Sequence, residues 1–300
     1  ADVAYTDFTY TMVIRDVGEG RLVTFNYKGN DDYYVGVATG SVTVTKASMK
    51  VKVPFFKSIY CDEDLPADYV TVTPADKKID VYTVFAGINS SANIGLYVNL
   101  PTSVTNVLYN DTVGKIWAAL DKDGYTLKER LAEGMTVADF KKVLNNEAIL
   151  KALELAGVDT TAFEALLAIL NNNVIAGLTD GSRIAIGTPN RAGSYAVIAI
   201  GSNKNYETAQ GYGTLLVRKR WGATLQWKNG DPTQGAEVLY NGKVGHVQDG
   251  IKVIYSGFTS DNKPYVSSKV PTEPGKYLAN AFLLGGNYVA LPIFQSFTIS

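Results

Sequence analysis

Apolar and polar residues alternate over most of this chain. Short runs such as "RLVTFNY" (21–27), "SVTVTK" (41–46), "MKVKVPFF" (49–56), "DYVTVTPA" (68–75), "KIDVYTVFAGI" (78–88) and "NIGLYVNLP" (93–101) read as strands, and "VAYTDFTYTMVI" (3–14) reads as one more. From Val113 to Asn173 the period changes, with apolar residues recurring at three and four positions: Val137, Phe140, Val143 and Leu144, then Phe163, Leu166, Leu167 and Leu170. Thr126 with Glu129, Thr136 with Asp139 and Thr161 with Glu164 have capping-box form, and Gly134, Gly157 and Asn171 supply stops, so a small helical bundle is predicted. Strand pattern resumes at "SRIAIGTP" (182–189). It continues through "ATLQWKNG" (223–230), "AEVLYNGKVGHV" (236–247), "IKVIYSGF" (251–258), "KPYVSS" (263–268), "GKYLANAFLL" (275–284) and "FQSFTIS" (294–300).

The strands repeat as a sentence. Gly193 to Tyr206, Gly275 to Tyr288 and Gly20 to Tyr33 each span thirteen steps, and the tyrosines precede Val217, Ile299 and Val44 by eleven. Two equal intervals in three places predict one structural unit used three times. Tyr195, Val197 and Ala199 match Tyr277, Ala279 and Ala281 on one face, whereas the first copy, through Val23, Phe25 and Tyr27, runs one step out of phase. "GSNKN" and "GGN" favour tight reversals between paired strands, and Tyr195 and Tyr277 stand where a corner tyrosine can bond back to the backbone.

"PNRAGSYAVIA" followed by "NYETA", and "PTEPGKYLANA" followed by "GNY", resemble the closing halves of bacterial cell-surface Ig-like repeats, including MBG-type modules of Gram-positive adhesins. "YKGNDDYYVGVATGSVTVTKA" is similar to the closing hairpin of other such repeats. The resemblance implies a mainly β chain of tandem Ig-like sandwiches on an exported, cell-surface protein, with no active site in common. The expected division is a partial Ig-like module at 1–46, a sandwich at 47–220 that houses the helices (about 113–173) between two strands at one end, and a complete module at 221–300. "LLVRKRWG" leaves almost no linker between the last two, which predicts a stiff rod. "ADVAYTDF" reads equally as a mature start and as a trimmed one.

Charge changes this picture little. With 28 Lys and Arg against 29 Asp and Glu, no field draws the chain to nucleic acid, and no run of eighteen apolar residues spans a membrane. Cys61 is the single cysteine, so no disulfide forms within the chain, and it shares no module with His246, the single histidine. Too few His and Cys stand here for zinc, "DKDG" at Asp121 lacks the later ligands of a calcium loop, and no cofactor is expected. The closing strands contain no asparagine for a Lys–Asn cross-link of the kind some surface Ig-like domains carry.

Trp117, Trp221 and Trp227 are candidate stacking faces for a sugar, with core packing as the alternative reading, and a seal between modules as another for Trp221. The helical insertion is the first place to look for contacts, at Trp117, Asp121, Asp123 and Tyr125. Gly193, Tyr195, Tyr206, Gly275, Tyr277 and Tyr288 are the structural signature. The expected function is non-catalytic: a segment that extends from the cell and binds or spaces, with an extracellular glycan or protein as partner. Two alternatives stay open: a subunit of a polymeric surface layer or filament, self-associating through the short first module, and an accessory module of a larger glycan-active enzyme.

Overall fold

The computed structural model describes the chain except residues 1–13, 15, 28–33, 35, 76–77, 122, 172–174, 176 and 246–249. The chain is mainly β, with several sheets and six helices among the described residues. The strand expected at 3–14 lies outside them, apart from Ile14. The first described elements are β1 (Gly18–Tyr27) and β2 (Gly36–Val44), a two-stranded antiparallel ribbon.

The middle of the chain builds one seven-stranded sheet. The chain runs first through β3 (Lys50–Lys52), β4 (Lys57–Tyr60), β5 (Thr71–Thr73), β6 (Asp80–Asn89) and β7 (Ile94–Asn99). Then come α1 (Thr102–Leu108), α2 (Asp111–Ala118), α3 (Leu127–Glu133), β8 (Met135–Thr136), α4 (Val137–Leu144), α5 (Glu147–Leu155) and α6 (Thr161–Asn171). β9 (Arg183–Ile186), β10 (Gly193–Ser202) and β11 (Ala209–Arg218) complete it, in the order β4-β11-β10-β6-β7-β9-β8, while β3 and β5 pair separately.

Helix formation begins earlier than the expected 113, because Pro101 starts α1 and the Asn110 side chain caps α2 through the Val113 N–H at 2.9 Å. Thr126 and Glu129 form the expected capping box, and Thr136 caps α4 through the Asp139 N–H. Thr161 does not cap α6. It is the first helical residue, and its N–H and hydroxyl both go to the Asp159 carboxylate, which also accepts from Ser202 at 2.7 Å and so ties the helix to the end of β10.

The helices do not sit at one end of a sandwich. They pack against one face of the sheet: Tyr82, Val84, Leu96, Val98 and Ile200 share the larger core with Val104, Trp117, Leu131, Phe140, Leu153 and Leu166. The opposite face buries Phe85, Tyr97, Tyr195, Val197 and Leu215 against Val53, Ile59, Cys61 and Tyr69. β6, β7 and β10 are therefore buried on both faces over much of their length, though not at Ile88, Ile94, Ser194 and Ala196, which is why they read as nearly unbroken apolar runs.

The C-terminal part pairs two smaller sheets. β12 (Thr224–Trp227), β13 (Ala236–Tyr240) and β14 (Lys243–Val244) form one, and β15 (Ile251–Thr259), β16 (Pro264–Ser267), β17 (Gly275–Leu283) and β18 (Ile293–Ile299) form the other, in the order β16-β15-β17-β18. Leu225, Trp227, Val238, Tyr255, Ala279 and Tyr288 make the core between them.

This four-stranded sheet repeats the heart of the middle one. Strand order β7-β6-β10-β11 matches β16-β15-β17-β18, and the registers coincide: Tyr195 faces Gly87 and Leu215, as Tyr277 faces Gly257 and Phe297. The glycine is required at that place, since a Cβ on Gly87 or Gly257 would collide with the carbonyl oxygen of Ser194 or Lys276. Even the hairpin bonds recur, Asn89 N–H to Asn93 O and Thr259 N–H to Lys263 O. Matching residues lie 170 positions apart before the helices (Gly87 and Gly257) and 82 after them (Tyr195 and Tyr277), so the helical run accounts for the difference.

The first ribbon follows the same register with one irregularity. Gly18 pairs with Val44, as Gly193 pairs with Val217, but Arg21 is the next partner, to Val42. One extra residue in β1 makes a bulge, and beyond it Val23 and Phe25 fall into phase with Val197 and Ala199. Gly18, not the expected Gly20, therefore holds the place of Gly193, and the out-of-phase alternation arises because Val23 and Gly40 lie 17 positions apart where Val197 and Gly213 lie 16.

Candidate functional site

The loop between α2 and α3 gathers the four candidate contact residues. Trp117 is buried and its indole N–H donates to the Tyr125 carbonyl at 3.0 Å, so it packs the bundle and offers no stacking face. The Asp121 carboxylate accepts the Tyr125 N–H at 3.0 Å and Arg130 at 3.1 Å, while the exposed Asp123 carboxylate pairs with the same guanidinium. Arg130 also lies over the Tyr125 ring, 4.3 Å from its centroid. The Arg130 hydrogen bond, foremost, holds the Asp121 carboxyl below its usual range. The cation this loop holds is its own arginine, and the arrangement closes the turn before α3. Among the described residues no group of three or more His, Cys, Asp and Glu is placed to hold a metal ion. Of the tryptophans, Trp227 is buried and Trp221 is 73% exposed, so Trp221 does not seal the joint at which it stands.

The signature residues build the corners and joints of the fold. Tyr195 donates its hydroxyl to the Arg191 carbonyl and Tyr277 to the Glu273 carbonyl, each at 2.8 Å and four residues back. Gly193 and Gly275 open β10 and β17. Tyr206 forms an isolated parallel bridge with Ala47, and Tyr288 forms one with Arg220. Each bridge carries two bonds: Ala47 N–H to Asn205 O and Glu207 N–H to Ala47 O in one, Arg220 N–H to Asn287 O and Val289 N–H to Arg220 O in the other.

The asparagine before each of these tyrosines reaches into the preceding part of the chain. Val17 donates its N–H to the Asn205 side chain at 3.1 Å, and Ala192 donates to the Asn287 side chain at 2.8 Å. Val17 precedes Gly18 and Ala192 precedes Gly193, so the donors occupy the same place before matched strands. Asn205 also donates to Asp16 (3.2 Å) and Asn287 to the Asn190 carbonyl (2.7 Å). The Asn205 bond, and after it Lys204, hold the Asp16 carboxyl below its ordinary range. The third such place is occupied by Pro274, which has no N–H to give.

The second joint is the more extensive. Cys61, 1% exposed, donates its thiol to the Asn287 carbonyl at 3.1 Å, Arg220 donates to the Cys61 carbonyl at 2.9 Å, and the Ser90 hydroxyl donates to the Gly286 carbonyl at 2.6 Å. Burial, and after it the neighbouring Asp62, push the Cys61 thiol up. Cys61 is thus a packed joint residue, and His246 lies outside the described residues.

In the sequence Asn205 and Asn287 read only as turn residues. Their shared position one step before a repeated tyrosine was the available signal. No helix among the described residues is long and apolar enough to cross a membrane. Comparison with protein families, with curated proteins and with solved structures gives no match.

Proposed function

We propose that this chain is a non-catalytic scaffold segment of a bacterial cell-surface protein, built from Ig-like sandwiches joined end to end, whose task is to hold binding surfaces at a set distance from the cell. The observation that carries this reading is the joint: equivalently placed asparagines, Asn205 and Asn287, accept equivalently placed backbone N–H groups, of Val17 and Ala192. A linker that only tethers needs no such repeated bond, whereas a spacer of fixed geometry does. The corner tyrosines and the strand order β16-β15-β17-β18 support the Ig-like resemblance. Adhesion belongs to the same reading, with a glycan or protein ligand met by exposed aromatic residues such as Trp221. The test is surface labelling. An antibody against the folded chain stains intact source cells; staining only after lysis contradicts the proposal.

A second reading is favoured by the first ribbon, where Leu22, Val37 and Val42 are exposed at 74%, 65% and 39%. Apolar ribbon surface of this kind suits a subunit that completes its first sandwich with another copy. Concentration-dependent polymers in sedimentation, abolished by deleting residues 1–14, support assembly, and an unchanged monomer removes it.

A further inference from the structure

β11 and β18 hold the same place in matched sheets, yet their outer edges differ. The outer edge of β11 is filled by β4, which runs parallel to it with Leu215 opposite Lys57 and Val217 opposite Ile59. Thr214 N–H donates to the Phe55 carbonyl at 3.0 Å and Cys61 N–H donates to the Arg218 carbonyl at 2.9 Å, so the even-numbered residues of β11 turn their backbone groups outward. Ser296, Thr298 and Ser300 are the corresponding residues of the C-terminal strand.

The segment that would cover them is folded away. β4 lies between β3 and β5; between β12 and β13 the chain instead makes two 3-10 turns, Lys228–Gly230 and Pro232–Gln234. They close on themselves through Asp231 N–H to Lys228 O and Gln234 N–H to Asp231 O, and the Tyr255 hydroxyl pins the Pro232 carbonyl at 2.8 Å. Among the described residues, β18 pairs only with β17.

Nothing in β18 guards the edge thus left. "IFQSFTI" carries no charge, proline or glycine, whereas the opposite edge of the sheet, β16, is four residues long, begins with Pro264 and is preceded by Lys263. The core is also thinner at this side. Leu215 and Val217 are 0% and 2% exposed beneath Ile59 and Cys61, while Phe297 and Ile299 are only half-buried.

We propose that the outer edge of β18 is a docking edge for an extended segment of a partner polypeptide, which adds parallel to β18 and lays two apolar side chains, at alternate positions, over Phe297 and Ile299. The occupant's chemistry is read from β4 and the residue that follows it: Ile59 and Cys61 do this over Leu215 and Val217. This inference does not depend on the chain being a surface scaffold.

The probe is a synthetic peptide of residues 54–63 carrying C61S, titrated into the isotope-labelled full chain. Saturable binding with amide shifts centred on Ser296, Thr298 and Ser300 is expected. Thr298→Pro, which removes an outward N–H and leaves the β17 ladder intact, weakens binding at least tenfold with an unchanged melting temperature. N-methylation of the peptide at position 61 weakens it similarly and leaves the protein untouched. Shifts elsewhere, no saturation at millimolar peptide, or equal affinity of both modified partners overturns the proposal. So does a dimer of the free chain that T298P dissociates, since the edge would then be taken by a second copy.

Discussion

Tyr82 stands edge-on to Phe163 of α6 with ring centroids 5.8 Å apart, and its buried hydroxyl has no hydrogen-bond partner among the described residues. The ring fastens the helical bundle to the sheet, while the hydroxyl has given up water without replacement. Tyr69, whose hydroxyl is pushed up to about 12 by burial, is in the same condition on the other face. Tyr82→Phe and Tyr69→Phe each raise stability, by about 1 kcal/mol, in denaturant melts. A loss of that size would show that these hydroxyls are bonded.

The corner tyrosines behave oppositely. Tyr195→Phe and Tyr277→Phe forfeit the bond to a carbonyl four residues back and lower stability by about 1 kcal/mol each. Comparing Tyr195→Phe with Tyr82→Phe separates a bonded hydroxyl from an idle one in the same sheet.

Asp80 sets a pH dependence. Burial, foremost, and the charge of Asp159 raise its carboxyl above the ordinary range, against the Ser103 hydroxyl, which donates to it at 2.7 Å. A raised carboxyl favours folding below the unfolded value, and that contribution is lost as pH rises through the folded value. Asp80→Asn keeps an acceptor for Ser103 and avoids the charge, so its melting temperature relative to wild type climbs between pH 3 and 7. A gap independent of pH contradicts this.

Cys61 reports on the second joint. Burial and Asp62 suppress its thiolate, so an aromatic disulfide reagent at pH 8 reacts with the native chain at least about tenfold more slowly than with the unfolded chain. Asn287→Ala removes the acceptor of Ala192 and accelerates the reaction. Equal rates in both proteins would mean that the joint does not hold Cys61.

How much of this was legible follows from where each signal lay. The hairpins of β10–β11 and β17–β18 were written in equal spacings, and the register confirms them residue by residue. The face expected to carry Tyr277, Ala279 and Ala281 is the buried face of β17, with Lys276 and Leu278 exposed on the other. The helices were found from their period, but their place was missed because the apolar run of Tyr82, Val84, Ile198 and Ile200 was not taken as a second dry face. β4 was missed because four residues that pair in parallel, with Ile59 alone fully buried, carry no periodic signal. Of the candidate contacts, Trp117 is core and Asp121 serves Arg130, since a cap-rich turn and a ligand loop use the same residue types.

The proposed spacer role requires that the Asn287, Cys61 and Arg220 bonds make a stiff joint between the middle and C-terminal parts. Spin labels at Lys151→Cys and Lys276→Cys, both exposed, leave the buried Cys61 unlabelled and report the distance across it by pulsed dipolar spectroscopy. One narrow distance distribution is predicted, broadening in Asn287→Ala; a broad or multiple distribution in the unaltered joint contradicts the account.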